Sequence, residues 1–263
     1  MSNNSIRILT GLVGIPLLVF IIVSEGFYYL GLTLIVSFFC LWEFHELFGK
    51  KGYGSRKIIT IILSVLILLV SFMLPSWTKI LFLVSVFVLI STEIFYKNRN
   101  PVSLFVSISG LLYITLPFVL TFELINMYDF KPVLLIFIMV WSCDTSAYFF
   151  GKKFGKHKVS DISPRKTWEG SIAGFVVSVI AALIYREFFP EWISFFDAII
   201  IGVIGGIFSQ IGDLFESMLK RYSGVKDSSE LIPGHGGFLD RFDSFIFVAV
   251  PFFLYFAYIK PEI

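Results

Sequence analysis

The stretch "FIFVAVPFFLYFAY", Phe245 to Tyr258, contains no charged side chain. With its flanking residues it forms an apolar run, 242–259, that is about as long as a helix needs to cross the hydrocarbon core of a bilayer. The residues directly before it, "GHGGFLDRFDS", include two aspartates, an arginine and a histidine. This order predicts a membrane-spanning helix with polar side chains at its N-terminal end that could bind a ligand or take part in catalysis.

The composition of the whole chain supports a membrane protein. Of its 263 residues, 57% are hydrophobic and 15% are charged, and the mean hydropathy is +0.86. Soluble domains carry more charge and fewer apolar residues than this. We therefore expect no separate soluble domain. The net charge of +2 gives no reason to expect nucleic acid as a partner.

The remainder of the chain repeats the pattern of long apolar runs separated by polar breaks. Unpaired backbone groups are too costly in hydrocarbon, so runs this long and uniformly apolar must be helical. We predict an all-α, polytopic membrane protein with about nine transmembrane helices in a single domain, residues 1–263. Spans within 1–131 would be mainly scaffold, and 132–263 would be catalytic. The predicted spans are 7–24, 27–44, 58–74, 79–96, 102–122, 132–150, 169–186, 197–219 and 242–259.

The basic residues predict the orientation of these spans. With nine spans, 17 of the 21 Lys and Arg residues lie on the side of the N-terminus and 4 on the other side. Since cytoplasmic loops carry the excess of positive charge, the N-terminus and the loops 151–168 and 220–241 should be cytoplasmic. For a bacterial source, the membrane would be the inner, or plasma, membrane. Cys40 and Cys143 lie in apolar runs and are predicted to be buried, reduced thiols.

The polar side chains of the sixth and eighth predicted spans are candidates for function. Asp144 lies in "VWSCDTSAYFFG" of the sixth span, and the eighth span contains "SQIGDLFESMLK". An ionised side chain within a membrane is costly, so it usually faces a water-filled cavity and a partner. A salt bridge that orders the bundle remains an alternative role for Asp144. The residues of the eighth span that share one helical face are Ser209, Gln210, Asp213, Glu216, Ser217 and Lys220.

Three aspartates occur at the adjoining ends of the eighth and ninth spans: Asp213, Asp240 and Asp243. Carboxylate oxygens are hard ligands suited to Mg²⁺, which proteins usually bind with a few carboxylates and substrate phosphates. The sequence therefore predicts a magnesium site here. Zinc is not favoured, because no arrangement of cysteines and histidines has the spacing of a zinc site.

The loop between these spans reads "KRYSGVKDSSELIPGHGG". Its cationic side chains are suited to phosphate, and its glycines allow a ligand to approach the backbone closely. A basic cytoplasmic loop attracted to anionic lipid heads is an alternative interpretation.

The segment from Ser217 to Asp243, "SMLKRYSGVKDSSELIPGHGGFLDRFD", resembles the signature of the phosphatidate cytidylyltransferases, the CDP-diacylglycerol synthases. A second segment, "SPRKTWEG", Ser163 to Gly170, resembles another stretch of the same family. The first five spans match that family only in their hydrophobic character. The signature positions in this sequence are Ser217, Lys220, Arg221, Lys226, Asp227, His235, Gly236, Gly237, Asp240, Arg241 and Asp243.

The resemblance implies a Mg²⁺-dependent reaction in which CTP and phosphatidic acid give CDP-diacylglycerol and pyrophosphate. Asp213 and Asp240 would be the main metal ligands, with Asp144 and Asp243 as additional ones, and a second cation is left open. The implied catalytic residues are Asp213, Asp240, Lys226, Asp227 and Arg241. The implied substrate-binding residues are Ser163, Arg165, Lys166, Thr167, Ser217, Lys220, Arg221, His235, Gly236 and Gly237.

Several alternatives stay open at this stage. Arg165 and Lys166 also fit a simple topology signal, and His235 could structure the loop instead of donating to a phosphate. Glu169 suits the first turn of a helix regardless of function. A lipid kinase could use the same acids and bases, and a transporter could use intramembrane acids to carry an ion. The sequence also leaves open whether the chain forms a homodimer.

Overall fold

The computed structural model describes residues 3–53, 56–229, 231 and 236–260. Within these residues there is no β-strand, and an isolated β-bridge pairs Lys158 with Thr167. The all-α prediction is confirmed. The described α-helices are α1 (Asn3–Ser24), α2 (Gly26–Gly49), α3 (Lys57–Met73), α4 (Thr78–Phe95), α5 (Pro101–Gly110), α6 (Leu116–Tyr128), α7 (Lys131–Phe154), α8 (Trp168–Phe188), α9 (Phe195–Tyr222) and α10 (Leu239–Leu254).

Every predicted span coincides with helix in the described chain, in the predicted order. Seven helical segments are long and apolar enough to cross a membrane. The apolar helices Gly11–Ser24 and Lys57–Met73, from the first and third predicted spans, are shorter than the other seven. The protein is thus an all-α polytopic membrane protein.

One predicted boundary and one predicted span have an irregular local structure. The "PSW" that separates the third and fourth spans forms a single 3₁₀ turn, Pro75–Trp77. A π-helical turn, Leu111–Thr115, joins α5 and α6 into one continuous helical segment, Pro101–Tyr128. Such turns insert residues into a helix without breaking it, so the fifth predicted span is one helix despite the change in winding.

The chain forms two compact units. The first unit comprises Met1–Glu123 and Tyr222–Phe242. Its core is apolar, and the side chains of Leu41, Ile67, Leu68 and Leu111 are fully buried. Burial of such side chains, together with close packing, stabilises the unit.

Polar side chains also join the helices of the first unit. The Tyr29 hydroxyl of α2 donates to Thr121 Oγ1 of α6 (2.7 Å). Ser64 of α3 hydrogen-bonds to Ser37 of α2 (2.9 Å) and accepts from Thr115 (2.8 Å). Hydroxyl groups that face other helices in this way satisfy one another inside an otherwise apolar bundle.

The second unit comprises Leu124–Arg221 and Asp243–Ile263. Glycines bring its helices into close contact. A Cβ atom on Gly174 of α8 would lie 2.9 Å from the Cys143 carbonyl oxygen of α7, and one on Gly202 of α9 would lie 2.6 Å from Val179 Cα of α8. Small residues permit this approach of backbones, which replaces hydrophobic association as a source of stability between membrane helices.

We predict that Gly202→Ala lowers the apparent melting temperature of the protein in detergent. The added methyl group meets the backbone of α8, and overpacking of this kind costs about 1–3 kcal/mol. The matched control is Gly31→Ala in α2, where a Cβ atom meets nothing within 4 Å. Equal melting temperatures for the two variants would contradict the close packing of α8 against α9.

Candidate active site

The polar face predicted for α9 packs against other helices of the second unit. Gln210 Nε2 donates to the Ser171 carbonyl oxygen of α8 (3.0 Å) and to the Gly206 carbonyl oxygen (2.8 Å). The Ser244 hydroxyl of α10 donates to the Ser209 carbonyl oxygen (3.0 Å). These bonds fix the rotation of α9, and with it the direction in which Asp213 points.

A cluster of charges surrounds Asp213 in the second unit. Its carboxylate forms an ion pair with the ammonium group of Lys166. Asp243, a residue of α10 that is 6% exposed, lies within electrostatic range of Asp213, Asp144 and Lys166. The structure therefore brings together three of the four predicted metal ligands and one predicted phosphate-binding lysine.

The segment that carries Lys166 is a tight loop before α8. Val159 N donates to the Lys166 carbonyl oxygen (3.0 Å), and Lys166 N donates to the Ser163 carbonyl oxygen (3.0 Å). Thr167 caps α8 by accepting from Gly170 N (3.3 Å). The predicted site residues Ser163 and Thr167 thus have local roles in shaping the loop, while Lys166 extends to Asp213. Arg165 is exposed on the same loop.

Glu169 holds the other side of this loop. Its carboxylate accepts from Lys156 N (3.0 Å) and His157 N (3.3 Å) and is bonded to His157 Nδ1 (2.6 Å). Glu169 also lies in the first turn of α8, where an acid is favoured by the helix dipole. These contacts give Glu169 a loop-closing role.

The C-terminal end of α9 is predicted to face the cytoplasm. It contains three further signature residues. Lys220 is 9% exposed and pairs with Glu216 one turn earlier (2.5 Å). Ser217 is buried. Arg221 is exposed, and its Nε donates to the Ile162 carbonyl oxygen of the loop before α8 (3.4 Å). Of the two cations, Arg221 is the one that lies at the surface.

Asp240 lies in the first unit, on the first turn of α10. One of its oxygens, Oδ2, accepts from Ser228 N (3.0 Å), Ser228 Oγ (2.8 Å) and Gly237 N (2.8 Å). This carboxylate connects the two ends of the segment 228–239, which we call the signature loop. Its predicted role as a metal ligand stays a prediction.

The structure adds one acid that the sequence analysis missed. Glu43 of α2 is 1% exposed and accepts hydrogen bonds from both ends of the signature loop, at Ser228 and Leu239 among others. The signal was present in the sequence, since "WEFHELF" places an ionisable residue inside an apolar span. The rule that drew attention to Asp144 applies equally to Glu43.

The signature glycines of the first unit pack against these acids. Gly236 has φ +80, a conformation that residues with a side chain rarely adopt, and its Cβ would lie 2.8 Å from Asp240 Oδ2. A Cβ atom on Gly237 would overlap Ser228 Oγ and Glu43 Oε2. The close approach predicted for these glycines is thus made by carboxylates of the protein itself.

The remaining predicted residues are at the surface or outside the described chain. Lys226, Asp227 and Arg241 are exposed. His235 lies outside the described residues, so both of its predicted roles stay predictions. The two cysteines, Cys40 and Cys143, are free thiols and buried, as predicted.

The fit of a magnesium ion depends on the donors available. Among the described residues no group of three or more His, Cys, Asp or Glu side chains has the arrangement of a metal site. Mg²⁺, however, is usually held by one or two carboxylates together with substrate phosphates and water. Asp213 and Asp243 supply two carboxylates of the right chemistry, whose mutual repulsion a cation would relieve.

Comparison with known sequences identifies the family. The sequence model of the cytidylyltransferase family matches residues 5–259. The chain therefore belongs to the cytidylyltransferase family.

Two of the following relatives match nearly the full length of the chain, and the third matches about half of it. A phosphatidate cytidylyltransferase of Staphylococcus saprophyticus is 34% identical over 92% of this chain and 95% of its own. The enzyme of the same name from Synechocystis is 31% identical over 95% of both chains. That of Haemophilus influenzae is 48% identical over 48% of this chain and 45% of its own.

Proposed function

We propose that this protein is a phosphatidate cytidylyltransferase, which converts CTP and phosphatidic acid to CDP-diacylglycerol and pyrophosphate. The observation that carries the proposal is the pairing of Lys166 with Asp213 beside Asp243. It places Lys166 of one family segment and Asp243 of the other in one cluster with Asp213 of α9. The relatives named phosphatidate cytidylyltransferase support the same function.

The reaction needs charge neutralisation more than proton transfer. A phosphate oxygen of phosphatidic acid attacks the α-phosphorus of CTP, a new P–O bond forms, and the bond to the β-phosphate oxygen breaks to release pyrophosphate. The attacking oxygen is already anionic at neutral pH, so it requires no strong general base. The difficulty is to hold two polyanions together in the correct orientation.

The basic residues would perform this task. Lys166 and Arg165 on the loop before α8, and Arg221 at the end of α9, extend from neighbouring segments of the second unit. Arginine binds phosphate oxygens in a bidentate manner, and lysine acts as a point charge. Lys226 and Arg241, both exposed in the first unit, are further phosphate-binding residues in this proposal.

Mg²⁺ is the cofactor we propose, held by Asp213 and Asp243, with Asp144 as an additional ligand. When bound, it would neutralise phosphate charge and make pyrophosphate a better leaving group. Lys166 balances the charge of Asp213 in the structure as described. Metal binding by Asp240 stays a prediction, and so does the presence of a second cation.

The reaction type is tested with labelled CTP and phosphatidic acid in detergent. We expect label on the α-phosphorus, together with the cytosine base, to enter the chloroform-soluble lipid, and label on the γ-phosphorus to leave as pyrophosphate. A lipid kinase would give the reverse distribution, and a transporter would incorporate neither label. Either of those results would refute the proposed function.

The metal proposal predicts that Asp213→Asn lowers turnover by about a hundredfold or more and raises the Mg²⁺ concentration needed for half-maximal rate. Activity should also be lost on chelation and return with Mg²⁺. The matched control is Asp129→Asn, since that side chain is 68% exposed and pairs only locally with Lys131. A wild-type response to Mg²⁺ in the Asp213 variant would remove this residue from the metal site.

The orientation we propose places the N-terminus and the charged loops in the cytoplasm, in a bacterial inner membrane. The multi-pass fold and the bacterial relatives support it, as does the distribution of basic residues. A homodimer stays a prediction.

Single cysteines test this orientation. Cysteine introduced at Lys156 or Lys226, both exposed, should react with an impermeant thiol reagent only from the cytoplasmic side. Cysteine at Asp129, also exposed, should react only from the opposite side. Labelling of positions 129 and 156 from the same face would contradict the nine-span arrangement.

A further inference from the structure

The buried acid of α2, Glu43, has contacts that suggest a specific role. We propose that Glu43 is a positioning residue that fixes the start of α10 and holds the two ends of the signature loop together. This inference rests on the proposed function only in assigning a catalytic purpose to that loop. Its structural content concerns the first unit alone.

The carboxylate of Glu43 is fully engaged with the signature loop. Oε1 accepts from Ser229 Oγ (2.6 Å) and Phe238 N (2.9 Å). Oε2 accepts from Ser228 Oγ (2.8 Å) and Leu239 N (2.8 Å). Each oxygen thus bonds one serine from the beginning of the loop and one backbone amide from its end. A carboxylate is suited to this task because it offers two acceptor oxygens and no donor.

Two of these donors lie at the beginning of a helix. The N–H groups of Phe238 and Leu239 precede and open α10, where backbone donors lack partners within the helix. The positive end of the helix dipole also favours an anion there. Glu43 therefore caps α10 from a different helix and fixes the residue at which α10 begins.

Asp240 extends the same network. Its Oδ2 shares the Ser228 hydroxyl with Glu43 and also accepts from Ser228 N and Gly237 N. Two carboxylates thus meet at one serine, one from α2 and one from α10. The first turn of α10, with Asp240 and Arg241, is oriented by this pair of carboxylates.

Replacement of Glu43 by glutamine separates this role from simple packing. Glutamine has nearly the same size, but its amide nitrogen is a donor and cannot accept the bonds of one serine and one backbone amide. A residue that merely fills space would tolerate the change. A positioning residue would not, because two buried donors lose their acceptor.

The experiment compares full-length Glu43→Gln with wild type by amide hydrogen exchange in detergent and by α-labelled CTP incorporation into lipid. We expect amide exchange to become faster by on the order of tenfold or more at one of Phe238 and Leu239, whichever faces the new side-chain nitrogen, and turnover to fall by a similar factor. Glu43→Asp, which keeps the charge, should recover part of both. The control is Glu46→Gln on the same helix, an exposed acid paired with Lys57, which should match wild type.

Wild-type exchange at these two amides in Glu43→Gln would overturn the inference, as would wild-type turnover. If that variant does not fold, Ser229→Ala, which removes one donor to Glu43, should raise exchange at Phe238 in the same direction, and no change there would refute the inference. Absence of α-label transfer by the wild-type protein would refute the proposed function instead, while the exchange measurement would still decide the role of Glu43.

Discussion

The constraint on which this structure depends is that backbone N–H groups at the ends of membrane helices must find acceptors within the protein or in water. The irregular segments described above solve this with carboxylates. Glu169 binds two backbone N–H groups of the loop before α8, Asp240 binds two in the signature loop, and Glu43 binds two at the start of α10. Hydrogen bonds to charged groups contribute about 1.5–3 kcal/mol each, so a few acids are enough to order these loops.

This use of carboxylates divides the acids of the protein into two groups. Glu43, Asp240 and Glu169 have their oxygens bonded to backbone and hydroxyl donors. Asp213 and Asp243 lie near other charged side chains, and Lys166 is the cation that pairs with Asp213. The first group shapes the loops, and the second group offers carboxylates of the kind that bind a metal ion. A signature rich in aspartate therefore combines structural and chemical roles that sequence spacing alone does not separate.

The fold was largely predictable because hydropathy reports directly on span position. All nine predicted segments are helical, and even the break at "PSW" is present as a 3₁₀ turn. The sequence could not reveal the π-helical turn at Leu111–Thr115, since its residues are as apolar as their neighbours.

The site was predictable in part, because the signature named its residues but not their contacts. Lys166 and Asp213 were both predicted, and their ion pair joins segments 47 positions apart in the chain. Glu43 was missed because no motif surrounds it, and its partners are nearly 200 positions away along the sequence. Gly237 was predicted to allow a ligand close to the backbone, yet the atoms that lie closest to it belong to Glu43 and Ser228. Long-range pairing of this kind is a property of the folded chain.

The burial of both native thiols simplifies labelling of the protein with thiol reagents. Cys40 and Cys143 have no exposed surface, so neither offers a sulfur to an aqueous reagent while the fold is intact. The labelling of a single introduced cysteine can then be measured without first replacing the two natural cysteines, because they do not react. The same burial means that a thiol becoming reactive reports unfolding, which gives a simple assay for detergents and lipids that preserve the native state.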